Sequence, residues 1–237
     1  MAMKIYIFGQ KFALQKRLKS RKNRTLLMEN NEGFFVLKLY RAPHRHRSAM
    51  EHRVLAEAHR EGIAVPRPIA FSRKRALLME YISGENLCDL LNRRPRPEYA
   101  DALAQWLGAF HLRFRRPGGL TLLRGDTNLR NFIVHPGGTL YGVDFEEAAP
   151  GKPARDLGRL CASILDTDPM FTPAKAALCR RLIERYRCIT GLKDPEPELT
   201  AQIALALCEA AQRRPQQRRY LLQQAKLMLQ RGLTGYS

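Results

Sequence analysis

A chain of 237 residues with 45% apolar side chains can bury a sizeable core, either as one large domain or as two lobes sharing a cleft. No apolar run approaches the roughly 20 residues that span a bilayer, and the apolar core of "MAMKIYIFGQ" is too short for a signal peptide, so the expected location is cytoplasmic. Lys and Arg number 41 against 22 Asp and Glu, and the resulting charge of +19 attracts polyanions: nucleic acid, an anionic surface, or phosphorylated ligands and glycans.

In chain order, "KIYIF" (4–8), "RTLLME" (24–29) and "FFVLKLY" (34–40) are rich in strand formers, and "NNEG" between the last two signals a hairpin. In "SAMEHRVLAEAHREG", Glu51, Val54, Leu55 and Ala58 share one helical face that ends at Gly62. Two further strands, "RPIAF" and "ALLMEYI", precede the break at "SGEN". From there helices dominate: Tyr99, Leu103, Trp106, Leu107, Phe110 and Phe114 keep helical spacing after Pro97, and 157–166, 174–189, 198–212 and 217–231 read as helices too. Basic residues gather at 11–24, 41–47, 113–116 and 213–219, each of which has a solvated surface as its plain alternative. The cysteines, Cys88, Cys161, Cys179, Cys188 and Cys208, form no C-x-x-C pair and are expected to be free thiols.

Two charges stand where apolar residues belong. Lys38 shares a strand face with Phe34, Val36 and Tyr40, and Glu51 lies on the apolar stripe of the next helix. A core-facing charge is costly unless paired, so an ion pair between sheet and helix solves both problems. The alternative is that Lys38 extends to the sheet edge and Glu51 sits at the margin of its stripe.

Further along, "RGDTNLRN" (124–131) precedes a hairpin in which "NFIV" and "TLYGVD" flank "HPGG". With Gly137 and Gly138 as a two-residue turn, Asn131 faces Asp144. An amide and a carboxylate oxygen at that separation suit a single hard cation such as Mg²⁺, with Asp126 beside it as a second carboxylate. The structural alternative is a capped hairpin with an Asx turn at Asp126.

The order of a strand lysine, a helix glutamate, D-x-x-x-x-N and a strand-terminal D-F resembles the protein-kinase-like superfamily, in its small atypical branch of aminoglycoside phosphotransferase-like and RIO-like kinases. The resemblance rests on "EHRVLAEAHREGIAVPRPIAF", "ALLMEYISGENL", "RGDTNLRNFIV" and "YGVDFEEAAPGKPARDLGRL". It implies a two-lobed α+β fold: residues 1–82 as a small antiparallel β-sheet lobe with one helix, which binds the nucleotide, and 83–237 as a mainly helical catalytic lobe. It also implies ATP and Mg²⁺ as cofactors. Lys38 would hold the α- and β-phosphates and Glu51 would orient it, while the backbone of Glu80, Tyr81 and Ile82 would receive adenine. Asp126 would be the catalytic base, and Asn131 and Asp144 the metal ligands. Asp156 would support the catalytic loop, although a helix N-cap explains it equally well.

Several features depart from the family pattern. The stretch before Lys38, "RLKSRKNRTLLME", is basic and lacks glycine, so side chains among Lys19, Arg21, Lys22 and Arg24 are expected to take over phosphate contacts. Arg124 stands where histidine is common, and "DFE" replaces D-F-G. The short stretch from Leu87 to Arg124 argues against an aminoglycoside acceptor, and no A-P-E segment supports a regulated protein kinase. The expected activity is Mg²⁺-dependent transfer of the ATP γ-phosphate to a hydroxyl of a small molecule or anionic glycan. The alternatives are a RIO-like protein serine/threonine kinase and a non-catalytic protein of this fold that binds nucleic acid or an anionic surface through its basic clusters.

Overall fold

The computed structural model describes residues 4–20, 22–73, 75–192 and 196–236. Its first part is a six-stranded antiparallel sheet of β1 (Lys4–Ile7), β2 (Gln10–Leu18), β3 (Arg24–Asn30), β4 (Gly33–Leu39), β5 (Pro68–Ser72) and β6 (Ala76–Glu80), in the order β1-β2-β3-β4-β6-β5. A helix, α1 (Arg47–Arg60), connects β4 to β5. Side chains alternate across the sheet as the period of two demands. Leu77, Met79 and Tyr40 join Val54, Leu55 and Ala58 of α1 in one core, and Phe12, Leu26, Met28, Phe35, Leu37, Ala76 and Leu78 form a second.

One strand is not legible in the sequence. The segment of β2 reads as a basic cluster because a bulge between Leu14 and Lys16 breaks its alternation, leaving Phe12 as its one buried side chain.

Past β6 come β7 (Glu85–Asn86), α2 (Leu87–Arg93), α3 (Pro97–Arg113), β8 (Arg115–Arg116), β9 (Leu120–Leu123), β10 (Phe132–Val134), β11 (Leu140–Gly142) and β12 (Ala149–Gly151). Four helices complete the chain: α4 (Pro153–Leu165), α5 (Pro173–Thr190), α6 (Glu196–Arg213) and α7 (Arg218–Arg231). Pro97 starts α3, where its missing N–H costs nothing, and the stripe Leu103, Trp106, Leu107 and Phe110 is buried. Gly158 lets α4 approach α6 closely, since a Cβ there would lie 2.6 Å from Cβ of Gln202. The architecture is the α+β, two-lobed one expected. Of the free cysteines, Cys88, Cys161 and Cys179 are buried, and Cys188 is exposed.

The β10–β11 hairpin corrects an expectation. Phe132 pairs with Gly142, Ile133 with Tyr141 and Val134 with Leu140, one step out of the expected register. His135 and Thr139 close the hairpin around three residues, Pro136 to Gly138, with Gly138 at φ +86°. A three-residue loop with glycine in the left-handed position shifts the pairing by one. Asn131 therefore faces Val143, whose N–H donates to the Asn131 carbonyl at 2.9 Å, and not Asp144.

Candidate active site

Lys38 lies in the middle of β4, opposite Thr25 on one side and Leu77 on the other, so its ammonium cannot reach the sheet edge. It is 5% exposed and is surrounded by carboxylates: Glu51 Oε2 and Asp144 Oδ1 at 2.7 Å each, and Glu146 Oε2 at 3.1 Å. Glu51, 1% exposed, is not at the margin of its helix. Its Oε1 accepts the Phe145 N–H at 3.2 Å, and the Tyr40 hydroxyl donates to Oε2, the oxygen that also meets Lys38.

This burial sets the electrostatics. Desolvation alone would lower the Lys38 pKa, but Glu51, Asp144 and Glu146 together raise it well above the ordinary lysine value, so it is a fixed cation. The carboxylates diverge. Burial holds Glu51 above its ordinary value against the pull of Lys38, whereas at Asp144 the opposing burial loses to Lys38 and Arg124, and the pKa is lowered.

Asp126 sits in the loop between β9 and β10, where its Oδ1 accepts the Asn128 N–H at 3.1 Å. Asn131 follows one tight turn later, with its N–H on the Asn128 carbonyl at 2.8 Å and its side-chain amide 3.4 Å from the Asp126 carbonyl. The loop backbone is held from below by Asp156, fully buried, which accepts the N–H groups of Arg124 at 2.6 Å and Gly125 at 3.2 Å. His111 Nε2 lies 3.2 Å from the same carboxylate and His111 Nδ1 2.7 Å from the Tyr186 hydroxyl. The N-cap alternative for Asp156 is set aside, because Lys152 holds that position in α4. On the other side, Arg159 donates to the Gly125 carbonyl at 2.9 Å and pairs with Glu209 at 2.8 Å.

Asn131 and Asp144, although not cross-strand partners, are gathered by Arg124. Its buried guanidinium donates to the Val143 carbonyl and lies 3.4 Å from the carbonyls of both Asn131 and Asp144. It also rests over the ring of Phe132, with 4.5 Å to the centroid. Asp144 itself lies just past β11 at φ +68°, a conformation that turns the chain out of the strand at this point.

At the end of β6, the Glu80 N–H donates to the Arg67 carbonyl and the Tyr81 N–H to the Phe34 carbonyl, so these two donors are occupied. Ile82 N–H has no backbone partner among the described residues. Of the basic loop between β2 and β3, Lys19 and Arg24 are exposed, Lys22 meets Glu147, and Arg21 lies outside the described residues. Asn23, 2% exposed, donates to Glu146 and accepts the Arg41 N–H at 3.3 Å.

Sequence reasoning missed Glu146, Asn23 and His111. Glu146 stands next to the D-F pair and was legible only as a departure from D-F-G, while nothing local distinguishes Asn23 or His111 from a loop residue and a core histidine. One carboxylate oxygen each from Glu51, Asp144 and Glu146 falls within 4.8 Å of the others. Carboxylate oxygens are the donors that suit a hard divalent cation, and here the Lys38 ammonium already lies within 3.1 Å of one from each residue.

The chain matches the phosphotransferase enzyme family (APH) over residues 15–124, a stretch that ends just before Asp126. Two 3-deoxy-D-manno-octulosonic acid kinases of Xylella fastidiosa, from strains M12 and 9a5c, are each 29% identical to it over 61% of this chain. The chain spans about 59% of the length of these curated relatives. Among solved structures, the choline kinase LicA from Streptococcus pneumoniae aligns with a TM-score of 0.63 at 14% identity, over 93% of this chain and 92% of that one. The macrolide 2'-phosphotransferase MphH from Brachybacterium faecium aligns at 0.61 and 16% identity, over 89% and 93%. The fold is the one these kinases and phosphotransferases share. In sequence its similarity runs to that phosphotransferase family and to the two sugar-acid kinases.

Proposed function

We propose that this protein is an ATP- and Mg²⁺-dependent phosphotransferase whose acceptor is a hydroxyl of an acidic sugar of the 3-deoxy-D-manno-octulosonic acid type. The observation that carries the reading is the buried Lys38, held by Glu51 from the helix and by Asp144 from beyond β11, a segment that Arg124 joins to the Asp126–Asn131 loop through the carbonyls of Val143, Asp144 and Asn131. A fold alone requires no lysine amid three carboxylates at such a desolvation cost.

In this reading residues 1–82 form the nucleotide lobe and 83–237 the catalytic lobe. Lys38 takes the α- and β-phosphates, Glu51 keeps its ammonium aimed at them, and adenine meets the chain at Glu80 to Ile82, with the Ile82 N–H as the available donor. Asn131 and Asp144 hold Mg²⁺, which when bound neutralises phosphate charge. Asp126 accepts the proton of the acceptor hydroxyl, and Asp156 fixes the loop that presents it. Phosphoryl transfer needs positioning and charge neutralisation above all, and these residues supply both. The sugar acid is supported by the names of the sequence relatives.

The test is transfer of labelled γ-phosphate from ATP, with and without Mg²⁺, to oligosaccharides carrying 3-deoxy-D-manno-octulosonic acid, with choline, ethanolamine, a macrolide and a protein mixture as comparators. Mg²⁺-dependent labelling of the acidic sugar is expected. Stabilisation by nucleic acid with no Mg²⁺-dependent response to ATP would overturn the reading.

A further inference from the structure

Two separate basic stretches, 11–24 and 41–47, meet beside the segment that follows Asp144, and the group between them is a carboxylate. The Lys22 ammonium binds Glu147, and Arg47, the first residue of α1, brings Nη1 to 3.5 Å from the same Glu147 Oε1. Lys22 also lies 3.8 Å from Glu146. The Arg47 contact is a charge contact only: Nη1 is buried and makes no hydrogen bond, a donor held ready without an acceptor of the right geometry. The base of the loop is meanwhile fixed independently, through Asn23 to Glu146 and the Arg41 N–H. The tip can therefore release Glu147 without the loop losing its anchor.

We infer that Lys22 and Arg47 form a seat for a phosphate oxyanion and that Glu147 is its built-in competitor, occupying the seat when no phosphate is present. This rests on the kinase reading for the location of the cleft but adds a site to it. A carboxylate is singly charged and planar, whereas a phosphate offers three oxygens and up to two charges, enough to satisfy both Lys22 and the orphaned Arg47 donor. Lys22 pulls the Glu147 carboxyl below its ordinary pKa against the effect of its burial, so the competitor is anionic at neutral pH. In a loop without glycine, where backbone amides cannot wrap phosphate, this exchange of anions replaces the missing amide cradle.

The phosphate has two possible sources, the nucleotide and an acceptor that itself carries phosphate, and the experiment separates them. Dissociation constants are measured calorimetrically for Mg·ATP, and for inorganic pyrophosphate in the presence of saturating non-hydrolysable ATP analogue, on wild type, Glu147→Gln, Lys22→Gln, Arg47→Gln and Glu147→Gln combined with Lys22→Gln. Removing the competitor should tighten binding by about three- to tenfold, because the competent state no longer carries the cost of displacing Glu147. The Lys22→Gln and Arg47→Gln variants should each weaken it, and Glu147→Gln should give no gain once Lys22 is absent. If the gain is seen with Mg·ATP, the seat serves the nucleotide, and if it is seen with pyrophosphate beside bound analogue, it serves the acceptor. Equal affinities in wild type and Glu147→Gln for both probes overturn the seat. A wild type that fails to bind Mg·ATP overturns the kinase reading instead, while pyrophosphate without analogue still tests the seat.

Discussion

Lys38 Nζ and Asp144 Oδ1, 106 positions apart in the chain, meet at 2.7 Å, and the same ammonium lies 2.7 Å from Glu51. One cation thus ties the sheet, α1 and the segment after β11 together. The first consequence concerns Asp144 as a metal ligand. Asp144→Asn should reduce Mg²⁺-dependent turnover on the order of 100-fold or more, while the melting temperature stays within a few degrees because its side chain is 38% exposed and contributes charge more than packing. Near wild-type turnover at ordinary Mg²⁺ would remove Asp144 from that role.

Lys38 and Glu51 should behave as one unit. Lys38→Met and Glu51→Gln are each expected to lower kcat strongly, and the double variant should lose clearly less than the two losses combined. Strictly multiplicative losses in kcat/KM would show that the two residues act separately.

Acid should reveal the same cluster through stability. The Asp144 carboxyl is held below its ordinary value of 3.8, so in wild type its stabilising contribution is present above about pH 4 and is lost as pH falls through the depressed folded pKa. Lys38→Met reverses the sign at Asp144: it leaves Glu51 and Asp144 together without their cation, and protonating this pair becomes favourable in the folded state. Urea unfolding should show the Lys38→Met variant gaining more stability than wild type as pH falls from 7 to 5, since in wild type Glu51 has a raised folded pKa while that of Asp144 is lowered. A variant that instead follows the wild-type profile would mean the carboxylates are not coupled through Lys38.

Asp156 holds the backbone of the Asp126 loop through the Arg124 and Gly125 N–H groups. Asp156→Ala leaves two buried backbone N–H groups and His111 without their acceptor, a loss of roughly 2–5 kcal/mol and about 5–15 °C in a chain of this size. Asp156→Asn keeps one oxygen and should recover part of the stability. Nucleotide affinity should change less than kcat, since the loop presents Asp126 and not the nucleotide; an effect confined to nucleotide KM would count against this assignment.

Gly125 offers a local check. It has φ +83°, and a Cβ there would lie 2.3 Å from the Glu147 carbonyl oxygen. Gly125→Ala must therefore displace either the Asp126 loop or the Glu147 segment, and kcat should fall at least about tenfold in a protein that still folds. Unchanged kcat would show that the loop tolerates such a shift.

The sequence by itself posed the pairing problem, a lysine and a glutamate on apolar faces of consecutive elements, and offered the ion pair as one of two solutions; the central place of β4 in the sheet decided between them. It also determined the order of the longer elements other than β2, because apolar periodicity reports burial directly. Only the tertiary structure decided the rest. The strand β2 was hidden by a bulge and by lysines on its open face. The hairpin register turned on whether Pro136 joins the loop, a difference of one residue that moves Asn131 opposite Val143. Glu146, Asn23, His111 and the meeting of Lys22 with Arg47 around Glu147 depend on contacts between segments more than 60 residues apart or on separate elements, where local pattern carries no signal. A periodicity records which side of an element faces inward; which distant charge it meets there is settled only when the elements pack.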